Sequence, residues 1–285
     1  MTTASTRLLS LLAATILAAG LTPAQQSRDI ILATTTSTRD AGLLDTLLPV
    51  FEHQSGYHLK VVAVGSGQAL EMGRRGDADV VLSHAPDAER VLVDSGYFVC
   101  RRLVMHNDFL IVGPSSDPAG LRGTGDPVAA LQRIAERHVP FISRGDQSGT
   151  HKFEQKLWRI AQITPPAPGK GDGAGWYIDA GQGMAATLQM ADEKKAYTIT
   201  DRGTFLAWRD QLQLVPIVQG DTLFYNVYHV LELNPRNASR INVAGGKAFA
   251  DFLVSSATQA LIGDFGKKRF GQSLFIPDAG KQDRW

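Results

Sequence analysis

Hydrophobic and polar positions alternate along this chain in short blocks. Asp29–Ala33 (DIILA) is a brief apolar run, and Gly42–Gln54 repeats Leu43, Leu44, Leu47, Leu48 and Phe51 near the 3.6-residue helical period. His58–Val64 and Ala78–Leu82 are β-branched and predict strands, followed by helices over Gln68–Arg75 and Asp87–Ser95. Phe109–Gly113 predicts a strand ending at Pro114. A second series then runs through helix Val128–Arg137, strand Pro140–Ser143, helix Thr150–Ala161, helix Gly183–Lys194 and strands Ala196–Thr200 and Gln213–Ile217. Thr164–Gly175 is a Pro/Gly-rich loop, Phe224–Leu233 a long strand, and helices Ile241–Ser255 and Thr258–Phe265 close the chain. Strands alternating with helices predict an α/β protein on a parallel sheet.

The first 24 residues do not fit this alternation. One basic residue, Arg7, precedes an apolar stretch from Leu8 to Ala19, and small residues lead to Ala24. That is the layout of a secretory signal peptide, too short in its apolar run to span a bilayer as an anchor. No cysteine follows the stretch, which argues against a lipid anchor. Cleavage after Ala24 leaves 28 basic and 28 acidic residues, so the exported chain is neutral and a periplasmic location is expected. The near-zero charge gives no footprint for nucleic acid. Cys100 is the lone cysteine, which excludes a disulfide scaffold, and seven scattered His residues offer no metal-binding spacing. No metal and no cofactor are expected.

Three strand-to-helix junctions share one chemistry. They are Thr34-Thr35-Thr36-Ser37, Gly65-Ser66-Gly67-Gln68, and Ser143-Arg144-Gly145-Asp146-Gln147-Ser148-Gly149-Thr150. Each sets hydroxyls and backbone N–H groups at the carboxyl end of a strand, where open α/β sheets bind ligands. Each also opens a helix, whose first N–H groups are unpaired and whose dipole favours an anion. Three such loops, one carrying Arg144, converge on a small oxyanion.

Other chemistries fit less well. GSGQAL has Leu70 where a dinucleotide fingerprint needs its third glycine, and no phosphate-binding GxxxxGK[ST] motif occurs. Ser148 lies in a loop with the wrong spacing for a nucleophile elbow, leaving a secreted hydrolase as a weaker alternative. His151 is expected to be an exposed loop residue, whereas His84 suits equally a ligand-facing donor and an ordinary loop end. Trp176 and Tyr177 are candidates for a lid over the cleft.

With these loops in view, the sequence resembles the tungstate-binding proteins of ABC transporters, among periplasmic oxyanion-binding proteins. The resemblance runs through ATTTSTRDAGLLDTLLPVFE, VVAVGSGQALEMGRRGDADVVLSHAP, VMHNDFLIVGPSSDPAG, FISRGDQSGTHKFEQKLW and AYTITDRGTF. It implies a two-lobed periplasmic-binding-protein fold of type II, with the ligand in the cleft between lobes and two crossover hinge strands, Phe109–Gly113 and Phe224–Leu233. Lobe I would be discontinuous, 25–109 plus 225–285, and lobe II would be 110–224. Thr35, Thr36 and Ser66 would bind the oxyanion from one lobe, and Arg144, Ser148, Gly149 and Thr150 from the other. Asp146 would orient Arg144 rather than touch the ligand, since a bare carboxylate repels a dianion. The implied function is that of a monomeric solute-binding protein, not an enzyme, that delivers tungstate to the membrane permease of an ABC transporter. A similar Arg-x-Asp-x-Ser-Gly-Thr loop in phosphate-binding proteins leaves molybdate, sulfate and phosphate as alternative ligands.

Overall fold

Apolar runs become strands wherever the residues flanking them can turn the chain back over the sheet. The computed structural model describes residues 28–146, 148–167, 174–237 and 240–284. The expected signal segment therefore lies outside the described residues, as does Gln147. In chain order the strands are β1 (Asp29–Thr35), β2 (His58–Val64), β3 (Val80–Ser83), β4 (Phe98–Gly113), β5 (Phe141–Ser143), β6 (Tyr177–Asp179), β7 (Thr198–Asp201), β8 (Val215–Val218), β9 (Tyr225–Leu233) and β10 (Ile276–Pro277). The helices are α1 (Thr36–Asp40), α2 (Leu43–Ser55), α3 (Ser66–Arg75), α4 (Pro86–Asp94), α5 (Pro127–Glu136), α6 (Gly149–Ile160), α7 (Met184–Glu193), α8 (Arg202–Trp208), α9 (Val243–Val254), α10 (Ser256–Asp264) and α11 (Lys267–Phe270).

The main sheet runs β10-β4-β9-β3-β1-β2. β1 pairs in parallel with β2 and β3, as the alternating pattern predicts. β9 is antiparallel to both β3 and β4, so the sheet is mixed rather than parallel throughout. The strand pattern carried no direction for β9, because its return depends on where the chain comes back, not on local periodicity. β4 changes partners along its length: Phe98 to Asp108 pair with β9, and Phe109 to Gly113 pair with β7 and β8. A separate parallel pair, β5 and β6, continues to Tyr197 through a bridge at Phe141.

The first eleven residues of β4, FVCRRLVMHND, do not read as a strand because charge interrupts the apolar pattern. In the fold that charge is paired. Arg102 bonds Glu232 of β9 and Asp251 of α9, each at 2.7 Å, while Arg101 reaches Glu89 at 3.0 Å and also Asp283. Glu89 and His229 are fully buried beside Arg101, and the His229 Nδ1 lies 2.9 Å from Glu89 Oε2. Burial alone would raise the Glu89 carboxyl, but His229, the Ala85 N–H and Arg101 outweigh it and hold it below its ordinary value.

Both faces of the main sheet are covered. Leu44, Leu47 and Phe51 of α2 pack with Phe249 and Leu253 of α9 on Ile30, Leu32, Val80 and Val230. Ala69 and Leu70 of α3 cover Ala33, Val81 and Leu231 on the other face. A further core joins Leu131 and Ile134 of α5 to Leu157 and Trp158 of α6, over Ile111, Phe141, Tyr197 and Ile199. Trp176 and Tyr177 belong to this last core, each only 7% exposed, and are not a lid. A glycine-rich loop precedes them, yet Trp176 lies edge-on to Trp158 and Tyr177 stacks with Phe141.

Candidate anion-binding site

β1, β2 and β3 end together. Thr35 is in register with Val64, and Ala33 with Val81, so Thr36, Ser66 and His84 all emerge at one rim of the sheet. Alternation along β1 turns Thr34 and Thr35 to opposite faces. Thr34 Oγ1 donates to the Leu82 carbonyl at 2.9 Å and is structural. Thr35 Oγ1 accepts the Thr38 N–H at 3.2 Å, lies 2.6 Å from Thr38 Oγ1 and 3.1 Å from His84 Nε2. Thr36 is exposed as the first residue of α1, and Ser66 is half-buried as the first residue of α3.

The second cluster hangs from β5. Arg144 Nε donates to Asp146 Oδ2 at 2.8 Å, and Arg144 Nη1 donates to Thr150 Oγ1 at 3.3 Å. Asp146 Oδ1 accepts the Ser148 N–H at 3.0 Å. Burial would raise the Asp146 carboxyl, but Ser148 and Arg144 outweigh it and hold it below the usual range, so it stays ionised beside the guanidinium. The turn needs Gly145, whose φ is +67° and whose missing Cβ would sit 3.1 Å from the Asp179 side chain. Ser148 caps α6: its Oγ accepts the His151 N–H at 3.3 Å. His151 itself is 5% exposed, buried on α6 and not an exposed loop residue, because the helix starts at Gly149 and turns position 151 inward.

Beneath this loop lies Glu154, buried on α6. Its Oε2 accepts from Ser143 Oγ at 3.0 Å and from the Arg144 N–H at 3.3 Å, and its Oε1 accepts from Tyr177 Oη at 2.8 Å and Trp158 Nε1 at 3.2 Å. Burial pushes its carboxyl up to about 7 against the pull of those donors.

The two clusters meet at His84 and Gly149, where a Cβ added to Gly149 would lie 3.1 Å from His84 Cε1. The floor between them is polar. His84 packs on the Tyr228 ring at 5.0 Å, and Asn226 Nδ2 donates to Asn107 Oδ1 at 2.8 Å and to Tyr228 Oη at 3.0 Å. Asp201, at the end of β7, acts electrostatically on both His84 and Tyr228. Its carboxylate is occupied at 2.8 and 2.7 Å by the Thr204 N–H and hydroxyl. Hydroxyls, first-turn N–H groups and one guanidinium suit a small anion. Among the described residues, no group of three or more His, Cys, Asp or Glu could hold a metal ion.

Residues 21–257 match the PBP superfamily domain. The tungstate-binding protein TupA of Peptoclostridium acidaminophilum is 49% identical over 259 residues, which is 90% of this chain and 88% of its own length. This chain belongs to the TupA family of tungstate-binding proteins. The TupA structure from Desulfovibrio alaskensis G20 aligns with a TM-score of 0.79 at 43% identity, over 88% of this chain and 99% of that one. The tungstate ABC transporter structure from Geobacter sulfurreducens aligns at 0.70 and 41% identity, over 83% and 98%. The two-lobed α/β fold expected from the sequence is therefore that of TupA.

Within this TupA-family fold, Arg144, Asp146, Ser148 and Thr150 form one bonded cluster, and Thr35 joins His84 in the other. Thr36 and Ser66 line the same rim as Thr35 without joining that hydrogen-bonded cluster. Sequence reasoning did not find Glu154, Asp201, Asn107 or Asn226. The one local signal for Glu154 was a carboxylate four residues before Trp158 on the apolar side of a helix.

Proposed function

We propose that this chain is an exported solute-binding protein that captures tungstate between two lobes and hands it to the permease of an ABC transporter. The observation that carries the reading is the pairing of two donor clusters across a polar floor, Arg144 with Thr150 on one side and Thr35 with His84 on the other. Their arrangement supports Thr35, Thr36, Ser66, Arg144, Ser148, Gly149 and Thr150 as the oxyanion ligands, with Asp146 holding Arg144. The change of partner along β4 between Asp108 and Phe109 supports lobes of 25–109 plus 225–285 and 110–224, hinged at β4 and β9.

The chemistry needs neither metal nor cofactor: tungstate is a fully deprotonated dianion and asks only for donors. Charge-assisted hydrogen bonds contribute roughly 1.5–3 kcal/mol each, so several of them reach nanomolar affinity, about −12 kcal/mol, after ordering costs. The cap bond from the His151 N–H to Ser148 Oγ leaves the hydroxyl proton to donate to an anion and supports a capping and ligand-binding serine rather than a nucleophile. Export by residues 1–24 and release as a monomer belong to the same reading; among the described residues no helix is long and apolar enough to cross a membrane.

Calorimetry with tungstate, molybdate, sulfate and phosphate tests the reading, together with small-angle scattering with and without saturating tungstate. Tight tungstate binding with compaction is expected. No binding of tungstate would sink it.

A further inference from the structure

We propose that His84 is a positioning residue that couples the two clusters, orienting the Thr35 hydroxyl on its own side and seating against Gly149 on the other, so that position 149 must lack a side chain for the cleft to close. This deepens the reading above and rests on it. His84 follows β3 in the main sheet, whereas Gly149 opens α6 after β5 of the separate pair, so their contact joins two differently anchored elements.

Two ordinary reasons for a glycine do not apply at 149. Its φ is not positive, so the backbone there accepts any L-residue. It is the first residue of α6, where alanine is an equal or better helix former. Among the described residues outside its own stretch of helix, an added Cβ would come within 4 Å of Cε1 and Nε2 of His84, at 3.1 and 3.9 Å. A 3.1 Å approach is too tight unless the ring gives way.

The ring is held on several sides. Nε2 lies 3.1 Å from Thr35 Oγ1, and the ring packs at a tilt against Tyr228 at 5.0 Å between ring centroids. The next residue, Ala85, donates its N–H to the buried Glu89 carboxylate at 2.8 Å, which pins the chain as it leaves His84. Burial also keeps the imidazole below its ordinary basicity, so a neutral ring faces the positive end of α6. The seat of the ring's Cε1 edge against Gly149 then limits how near the two clusters can approach, which makes His84 a gauge of anion size as well as a positioning group.

The test uses the full chain in wild-type, Gly149→Ala, His84→Ala and doubly substituted forms, with calorimetry against sodium tungstate, molybdate, sulfate and phosphate. Gly149→Ala should weaken tungstate binding about 10–100-fold, as overpacking does, and the same contact should lower the melting temperature. His84→Ala should bind about 10-fold more weakly and lose part of the preference for tungstate over sulfate, because the clusters can approach further. The double variant should bind tungstate more tightly than Gly149→Ala alone, since the added methyl then has room. A Gly149→Ala protein that binds like wild type, or a double variant no better than Gly149→Ala, overturns the inference while leaving tungstate capture standing. A wild type that binds none of the four anions overturns both, and if it binds one other than tungstate, the same coupling is read with that anion.

Discussion

Glu154 Oε2 accepts the backbone N–H of Arg144 at 3.3 Å, so the loop carrying the cation hangs from a carboxylate that is itself 1% exposed. The same carboxylate bonds Ser143, Trp158 and Tyr177, which ties the loop to the aromatic core behind it. Arg144 is thereby aimed by groups on both sides: Asp146 holds the guanidinium and Glu154 holds the main chain.

The first prediction follows from that geometry. Folded, Glu154 titrates at about 7 because of burial; unfolded, it returns to about 4.5. Between those values the folded state binds more protons, so stability falls as pH rises from about 4.5 and levels off above about 7, by roughly 3 kcal/mol in all. The other shifted acids named above, Glu89 and Asp146, are lowered and act below this window. His84, held low by burial, works the other way in the part of this window below about 6.5, so Glu154 is read by difference: wild type should lose more melting temperature, or gain less, than Glu154→Gln between about pH 5 and pH 8. Parallel slopes in the two proteins would assign the titration to another group.

Arg144→Ala should weaken tungstate binding by about 10²–10³-fold, because a dianion between low-dielectric walls would lose its cation. Arg144→Lys should also bind poorly, since an ammonium cannot reproduce a planar fork that reaches Thr150 and Asp146 together. Calorimetry reads both, with unliganded melting as the control. Wild-type affinity in either variant would remove Arg144 from the site.

Phosphate should bind more weakly than tungstate by several kcal/mol, on the order of 10³-fold. Near neutral pH it carries at least one proton, which needs an acceptor. Asp146 is committed to Arg144 and the Ser148 N–H, and Asp201 to Thr204. Sulfate should lose more mildly, being deprotonated but smaller. Competition calorimetry at pH 7 decides the order, and phosphate matching tungstate would mean that one of these acids turns toward the ligand.

Glu89→Ala removes the carboxylate that faces both Arg101 and His229 in the interior and that accepts the Ala85 N–H next to His84. Breaking a buried ion pair from one side costs roughly 3 kcal/mol or more. Chemical denaturation should show that loss as a lower midpoint. Undiminished stability would mean that the surrounding groups repack or admit water without cost.

The loops were legible in the sequence because their chemistry is local: hydroxyls, glycines and Arg144 crowd into a few consecutive positions at strand ends. The eight helices expected from the sequence lie within two residues of their observed bounds, since amphipathic spacing is local too, whereas the short α1, α8 and α11 carry too few turns to show that spacing. What escaped depends on partners distant in sequence. Phe98–Asp108 looks too charged for a strand until Arg101 and Arg102 meet Glu89, Glu232 and Asp251. Glu154 looks like a solvated helix charge until Ser143 and Tyr177 close over it. Trp176 and Tyr177 sit beside a glycine-rich loop, yet their rings find Trp158 and Phe141. Asp201, Asn107 and Asn226 carry no motif at all, and they come together only where β4, β7 and β9 meet.

The position of β9 between β3 and β4 has a consequence for how the chain is made. Residues 29–83 cannot complete their sheet until residues 225–233 arrive, and the edge of β4 waits for residues 276–277. Pairings so distant in sequence form slowly. An early segment emerging from the ribosome therefore has no finished structure to fall into, and the polypeptide stays threadable until synthesis is nearly complete. For export as proposed above, which takes an unfolded chain through a narrow channel, this topology supplies time before any chaperone acts.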